Sequence, residues 1–173
     1  MQCSSCAAEC PTGVDMGALF RFSREDRWKQ DKWVPGIHDF WLRELDFKRG
    51  EGSFASAGAG KDRCEYLFFP GCQLTDSCPE HVVRSFDFLR ERLDIGVVLG
   101  CCGAPAVWAG DMDRRDENAA ALRALWESFG KPVIVSGCAS CEKMLAAQLD
   151  GARFKSLYEL LDELDAPRKA LPF

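Results

Sequence analysis

The sequence predicts an α/β fold in which helices cover both faces of a small, mainly parallel sheet, with a further helical arm at the N-terminus. Short apolar segments alternate with helical patterns along most of the chain, as in folds with a parallel sheet. These segments are apolar throughout rather than at every second residue, which is typical of strands buried on both faces. With 173 residues, 47% hydrophobic and 28% charged, the chain has the size and composition for one substantial core.

The N-terminal arm, residues 1–49, contains two predicted helices. Apolar residues recur along 14–29 and again along 37–48, and Pro35-Gly36 separates the two segments. Residues 50–63 (GEGSFASAGAGKDR) are rich in Gly, Ala and Ser, so we predict a linker there. The linker leads into a main domain that comprises residues 64–173.

Strands and helices alternate in the main domain. The predicted strands are 65–70 (EYLFFP), 95–99 (IGVVL), 133–136 (VIVS) and 154–157. The predicted helices are 79–93, which begins with Pro79, 111–129, a helix that begins near residue 138, and 157–164.

Charge and hydropathy exclude two classes of partner. The net charge is −5 and Lys and Arg are not clustered, whereas a nucleic-acid groove needs clustered positive charge. An apolar run of 18 residues and a secretory signal pattern are both missing, so we expect a cytoplasmic protein that does not insert into a membrane.

Ten cysteines point to the chemistry of the chain. Without a secretion signal, clustered cysteines more often bind metals or carry out redox reactions than form a disulfide scaffold. Five of them directly follow predicted strands: Cys72, Cys101, Cys102, Cys138 and Cys141. The ends of parallel strands meet at one edge of the sheet, so we expect these five thiols to converge there. Thiolates are the preferred ligands of zinc and of iron–sulfur clusters.

Two other cysteines of the main domain are not assigned as ligands. Cys64 precedes the first strand and should lie about 20–25 Å from Cys72, at the opposite edge, at ~3.3 Å per strand residue. It is interpreted as structural. Cys78 follows Cys72 by a short segment and is expected to be structural or to support the site from outside the ligand set.

A second cysteine motif opens the chain. Cys3, Cys6 and Cys10-Pro11 match the last three cysteines of the bacterial ferredoxin run C-x2-C-x2-C-x3-C-P. The first cysteine of the run would precede Met1, so either the chain is part of a longer protein or a partner supplies that ligand. A ferredoxin-like arm with a [4Fe–4S] cluster is predicted, and a zinc knuckle completed by a remote thiol is the alternative.

Three segments of the main domain resemble the cysteine-rich "CCG" domain. They are FFPGC (68–72), LGCCGAPAVWAGD (99–111) and GCASC (137–141), within a resemblance that covers about residues 64–165. This domain occurs in a subunit of heterodisulfide reductase and in the iron–sulfur subunits of related anaerobic dehydrogenases. The resemblance implies a [4Fe–4S] cluster, of cubane or non-cubane form, held by the five cysteines at the strand ends.

The chain departs from the family in two respects. Residues 73–100 form a short connection between Cys72 and the vicinal pair, and the chain has one such domain where family members usually have two. The expected function is an iron–sulfur electron-transfer module of an anaerobic oxidoreductase. It would pass electrons from a partner flavoprotein, a second CCG subunit or a ferredoxin-like subunit to a disulfide, a quinone or another acceptor. Two alternatives remain: a zinc-binding structural module, and a dithiol oxidoreductase that uses Cys138 and Cys141 directly.

Overall fold

The sheet is built from the segments that the apolar pattern predicts, with one addition. A computed structural model describes residues 5–167, and this part of the chain contains a five-stranded sheet of order β1-β3-β2-β4-β5. The strands are β1 (Phe54–Ser56), β2 (Tyr66–Phe69), β3 (Ile95–Leu99), β4 (Val133–Ser136) and β5 (Phe154–Ser156). Strand β1 is antiparallel to β3, and the other neighbouring strands are parallel.

Most of the predicted helices are present within a few residues of their expected ends. The helices are α1 (Ser5–Glu9), α2 (Met16–Asp31), α3 (Asp39–Arg49), α4 (Cys72–Ser77), α5 (Pro79–Arg90), α6 (Ala104–Ala109), α7 (Met112–Ser128), α8 (Ala139–Gln148) and α9 (Leu157–Glu163). Aspartates cap the two longest: Asp15 accepts a hydrogen bond from the Ala18 N–H at 3.1 Å, and Asp111 accepts one from the Arg114 N–H at 3.1 Å. The short helices α4 and α6, which follow the first two groups of strand-end cysteines, are not among the predicted elements.

Helices cover both faces of the sheet, as predicted. On one face Leu67 and Ile134 pack with Trp126 of α7 and Leu145 of α8. The other face has a separate core of strand residues and of side chains from α5 and α9: Phe68, Val97, Val135, Val82, Leu89, Leu157 and Leu160. Since successive strand residues point to opposite faces, the continuous apolar strands supply both cores.

The segment predicted as a linker contains strand β1. Ser56 pairs with Val97 and Phe54 with Leu99, which extends the sheet beyond β3 by one antiparallel strand. Gly96 permits the close approach, because a Cβ atom at this position would lie 2.5 Å from the Ser56 carbonyl oxygen. The division into an arm, residues 1–49, and a main domain, residues 64–173, stays a prediction.

The N-terminal helices pack on the segment that follows the vicinal cysteines. Leu42 and Leu45 of α3 form a small core with Cys101 and with two alanines of α6, Ala106 and Ala109. Helix α2 approaches the same segment: an Arg24 Nη1 donor lies 2.6 Å from the Trp108 carbonyl oxygen. The N-terminal helices therefore pack against part of the segment that the sequence assigns to the main domain. Within residues 5–167, no helix combines the length and the apolar character that crossing a bilayer requires.

Candidate metal centre

Cys72 follows strand β2 after a sharp turn at Gly71. This glycine has φ +82°, a conformation that L side chains rarely adopt, and it precedes α4, whose first residue is Cys72. A Cβ atom on Gly71 would lie 3.0 Å from Cys141 Sγ and 3.4 Å from Cys138 Cβ. The end of β2 therefore lies directly against the two cysteines that follow β4.

The vicinal pair follows β3 and is held by two side-chain amides. Cys101 is 4% exposed and Cys102 is 3% exposed. The Asn118 amide donates to the Cys101 carbonyl at 3.2 Å, and the Gln148 amide donates to the Cys102 carbonyl at 3.0 Å. The N–H of Gly103 lies 3.5 Å from Cys101 Sγ. These contacts fix the backbone of both cysteines from α7 and α8.

Cys138 and Cys141 follow β4 at the start of α8. The Ser136 hydroxyl accepts from the Cys138 N–H at 3.3 Å and donates to the Cys138 carbonyl at 2.9 Å, which shapes the turn. Cys141, in the first turn of α8, is 3% exposed, and Cys138 is half-buried. The structure therefore brings cysteines from all three strand ends to the carboxyl edge of the sheet.

Neighbouring thiols at this edge of the sheet form a row and influence one another's ionisation. This holds for Cys72 with Cys101, for Cys101 with Cys102, and for Cys102 with Cys141. Cys138 lies beside this group, because a Cβ atom on Gly71 would lie 3.4 Å from Cys138 Cβ and 3.0 Å from Cys141 Sγ. We call Cys72, Cys101, Cys102, Cys138 and Cys141 the thiol row.

Neighbouring thiols and burial disfavour the ionised form of three members of the row, Cys72, Cys101 and Cys102. The hydrogen bond with Cys101, followed by burial, raises the pKa of Cys72 far above its usual value. The contact with Cys102 and burial raise the pKa of Cys101 to about 12, against an opposing contribution from Cys72. For Cys102 the hydrogen bond with Cys101 lowers the pKa, but the contact with Cys141 and burial outweigh it, so that the pKa is raised. Neighbouring thiols in a buried site cannot all ionise unless a cation compensates their negative charges.

The thiol row has the donor chemistry of a thiolate-bound metal centre. A bound cation would lower the pKa of these thiols instead, because its positive charge stabilises the thiolate form. Across residues 5–167, no three His, Cys, Asp or Glu side chains are arranged around a point that could hold a single metal ion. The donors form a row of sulfurs, and a multi-iron cluster distributes its ligands over several iron atoms. The donor chemistry of these residues therefore suits a thiolate-bound metal centre, either zinc or an iron–sulfur cluster.

The N-terminal cysteines lie only in part within the described residues. Cys3 is outside them, and the side chain of Cys6, in α1, is not described either. Cys10 directly follows α1, and its Sγ lies 3.2 Å from Thr12 Oγ1 and 3.3 Å from the Val14 N–H donor. The hydrogen bond with Thr12, followed by the backbone hydrogen bonds, lowers the pKa of Cys10. The ferredoxin-type site stays a prediction.

Cys64 and Cys78 lie apart from the thiol row. Cys64 precedes β2, and its Sγ would be 3.0 Å from a Cβ on Gly96, the second residue of β3. It is thus at the edge opposite to the thiol row, and burial raises its pKa. Cys78 lies between α4 and α5, about 9 Å along the axis of α4 from Cys72 at ~1.5 Å per residue.

Sequence reasoning missed the two amides that hold the vicinal pair. Asn118 is 2% exposed, although it directly follows an acidic segment that looks like a solvated helix face. The helical period would have predicted its burial. Asn118 is seven residues before Leu125 and so lies on the face of α7 that packs against the sheet. Gln148, near the end of α8, has no comparable signal.

The fold and the site together define a class of protein: an α/β domain with a cysteine-rich site at the carboxyl edge of its sheet. Residues 66–146 match the family model of the CCG cysteine-rich domain, and this range includes the whole thiol row. This segment therefore belongs to the CCG family, a cysteine-rich family associated with iron–sulfur oxidoreductase subunits. Comparison with curated proteins and with solved structures gave no match.

Proposed function

We propose that this protein is an iron–sulfur electron-transfer module of an oxidoreductase, with a [4Fe–4S] cluster bound by the thiol row. The observation that carries the proposal is the convergence of five cysteines from three neighbouring strand ends at the carboxyl edge of the sheet, within the segment that matches the CCG domain. A bound cluster would supply one-electron chemistry at this edge of the sheet.

The residues around the thiol row have distinct tasks in this proposal. Cys101, Cys102 and Cys141 are the deeply buried ligands, where water is excluded. Cys72 and Cys138 are half-buried and form the side of the row that is nearer to solvent. Asn118 and Gln148 hold the backbone of the vicinal pair, so that its two sulfurs keep their positions whether or not a metal is bound. Five thiolates exceed the four that a cubane cluster uses, which favours the non-cubane form.

A partner is part of the proposal. Cys3, Cys6 and Cys10 would hold a second [4Fe–4S] cluster with a cysteine from a partner or from a longer chain. A flavoprotein, a second CCG subunit or a ferredoxin-like subunit would deliver electrons to the disulfide, quinone or other acceptor through these centres. Large apolar side chains support a docking role because exposed ones are concentrated in the N-terminal half of the chain. They are between 45% and 82% exposed: Leu19, Phe20, Phe22, Trp33, Ile37, Phe40, Trp41, Phe47 and Phe54.

Anaerobic reconstitution of paired serine variants tests the cluster. The full chain should be brown and contain iron and acid-labile sulfide. Cys102→Ser should abolish or convert the electron paramagnetic resonance signal, while circular dichroism stays close to that of the parent because the two sheet cores do not depend on the metal. Cys64→Ser, a change of the buried cysteine at the opposite edge, should keep the signal.

Zinc chemistry predicts the opposite result in the same experiment. Structural zinc ligands contribute folding free energy directly, so their loss unfolds the domain. A colourless protein with stoichiometric zinc, and a Cys102→Ser variant without helical signal, would contradict electron transfer through this site. Redox activity of Cys138 and Cys141 in metal-free protein would instead support the dithiol alternative.

A further inference from the structure

A cavity of about 260 Å³ opens beside Cys101, between β1, the end of β3, the end of α3 and α7. We propose that this cavity binds a small amphipathic anion, that is, a molecule with an apolar body and one negatively charged end. Ligand pockets ordinarily begin at ~300 Å³, so the size suits a small molecule and not a macromolecule. As the binding site for a molecule that reacts at the thiol row, the cavity rests on the proposed function; as a binding site it does not.

The cavity reaches the thiol row directly. Cys101 is one of the residues that line it, and Cys101 is also the first cysteine of the vicinal pair in the thiol row. Gly100 and Asn118 also line it. A molecule in the cavity would therefore lie beside the vicinal pair, next to a cysteine that is otherwise 4% exposed.

One side of the cavity is apolar. Val98 and Leu99 contribute from the end of β3, Phe54 from β1, and Leu122 and Leu125 from α7. Phe54 is 55% exposed, so an apolar ligand that covers it would remove apolar surface from water. The segment that composition predicts as a linker thus forms one wall of the cavity.

The other side of the cavity carries positive charge. Lys48 and Arg49, at the end of α3, line it together with Ser53. The Lys48 side chain is 13% exposed and contacts Asp76, which is 50% exposed. Arg49 lies 2.7 Å from Glu117, which is 63% exposed, and 3.6 Å from Asp46.

These ion pairs leave the two cations available to a ligand. Ion pairs with exposed carboxylates contribute little to stability, because water and salt screen them. A ligand carboxylate in the cavity could pair with Lys48 in place of Asp76, or with Arg49 in place of Glu117. Because Asp76 and Glu117 are exposed, the displaced carboxylate would be solvated by water. Arg49 offers donors in a fork that matches a carboxylate or phosphate group.

Isothermal titration calorimetry with three eight-carbon probes tests this inference on the full chain, purified anaerobically. Octanoate should bind, and octylammonium should bind at least about tenfold more weakly because its charge is repelled. Octan-1-ol isolates the contribution of the apolar wall. Lys48→Met keeps a flexible unbranched side chain, one atom shorter, but removes the charge, so it should weaken octanoate binding and leave octan-1-ol binding unchanged.

Two tryptophan variants of α7 provide the control. Ala121 and Ala120 are both exposed, but only Ala121 lines the cavity, because the next residue of a helix points about 100° away. Ala121→Trp should abolish binding of octanoate and octan-1-ol, and Ala120→Trp should bind both like the parent. If Ala121→Trp does not fold by circular dichroism, Lys48→Met decides the question.

The outcomes separate this inference from the proposed function. A protein that contains the cluster but binds octylammonium as well as octanoate, or binds neither, overturns the inference alone. A protein that binds octanoate through Lys48 but does not acquire iron and sulfide supports the cavity and contradicts the cluster.

Discussion

The neutral thiol is the favoured state of Cys72, Cys101 and Cys102 in the metal-free protein. Contact and burial raise the pKa of Cys72, Cys101 and Cys102, and that of Cys101 reaches about 12, whereas a thiol in the unfolded chain ionises near ~8.5. The neutral thiols therefore contribute their full stabilisation below the unfolded-state pKa of ~8.5, and this contribution is lost as the pH rises towards the folded-state pKa. The same thiols must lose their protons to bind a metal, so metal loading releases protons.

The metal-free protein should therefore lose stability in alkali. Above pH ~9 the free energy of unfolding should fall by about 1.4 kcal/mol per pH unit for each thiol that ionises only in the unfolded chain. Urea unfolding at a series of pH values, under reducing conditions, measures the slope. Cys101→Ser should reduce it, and a slope that is unchanged in this variant would contradict the assigned origin.

Asn118 makes a hydrogen bond whose loss leaves a buried acceptor. The side chain is 2% exposed and donates to the Cys101 carbonyl. Asn118→Ala should lower the free energy of unfolding by about 1–3 kcal/mol, because a buried group without its partner loses its hydration. Denaturant unfolding measures the change. Gln30→Ala, which removes an amide bonded to Asp26 at the exposed surface, should stay within about 0.5 kcal/mol of the parent.

The positions of the site cysteines follow from the sequence, but their supports do not. The rule that parallel strands end at one edge is sufficient to group Cys72, Cys101 and Cys141. Asn118 and Gln148 escape this reasoning because an amide in a helix carries no pattern that reveals which distant carbonyl it will meet. Similarly, the glycine that brings Cys141 close, Gly71, is visible as a turn residue but not as a contact.

At the scale of elements, the pairing of β1 with β3 requires a residue without a side chain at position 96 of β3. A Cβ on Gly96 would lie 2.5 Å from the Ser56 carbonyl oxygen and 3.0 Å from Cys64 Sγ. Gly96→Ala should therefore lower the free energy of unfolding by about 1–3 kcal/mol, as in other overpacked cores. Gly100→Ala is the matched control, since its Cβ would be no closer than 3.6 Å to any neighbour. Equal denaturation midpoints for the two variants would show that β1 does not pack on β3 as described.

Most elements with an apolar pattern could be predicted, including the three-residue strand β5, but β1 and the short helix α6 could not. Strands β2, β3 and β4 and helices α5 and α7 have enough residues for a pattern to emerge. Strand β1 has three residues in a Gly- and Ala-rich segment, and it exists because β3 offers an unpaired edge. Helix α6 (APAVWA) is too short for periodicity, and its bounds are set by Gly103 and Gly110, both at positive φ.

At the scale of the whole molecule, α3 joins the N-terminal helices to the site. Leu45 is fully buried in the core that contains Cys101. Leu45→Ala should lower the free energy of unfolding by about 2–5 kcal/mol, because a cavity remains where the side chain was. It should also expose the segment 50–53 to proteolysis. Leu19→Ala, at a position that is 51% exposed, should have a small effect on both measurements. Comparable protease resistance of the two variants would contradict the docking of α3.

The position of β2 between β3 and β4 sets an order of events during biosynthesis. Cys72, Cys102 and Cys141 come together only when β2 has paired with two strands that are distant from it in sequence. Such non-local pairings form slowly, because the entropy of closing a long loop is lost before the stabilising contacts form. On a ribosome, the sulfur positions cannot form before α8 has left the exit tunnel. A metal centre bound by these cysteines would therefore enter a domain whose sheet has already formed, unlike the zinc of a finger that organises its own chain.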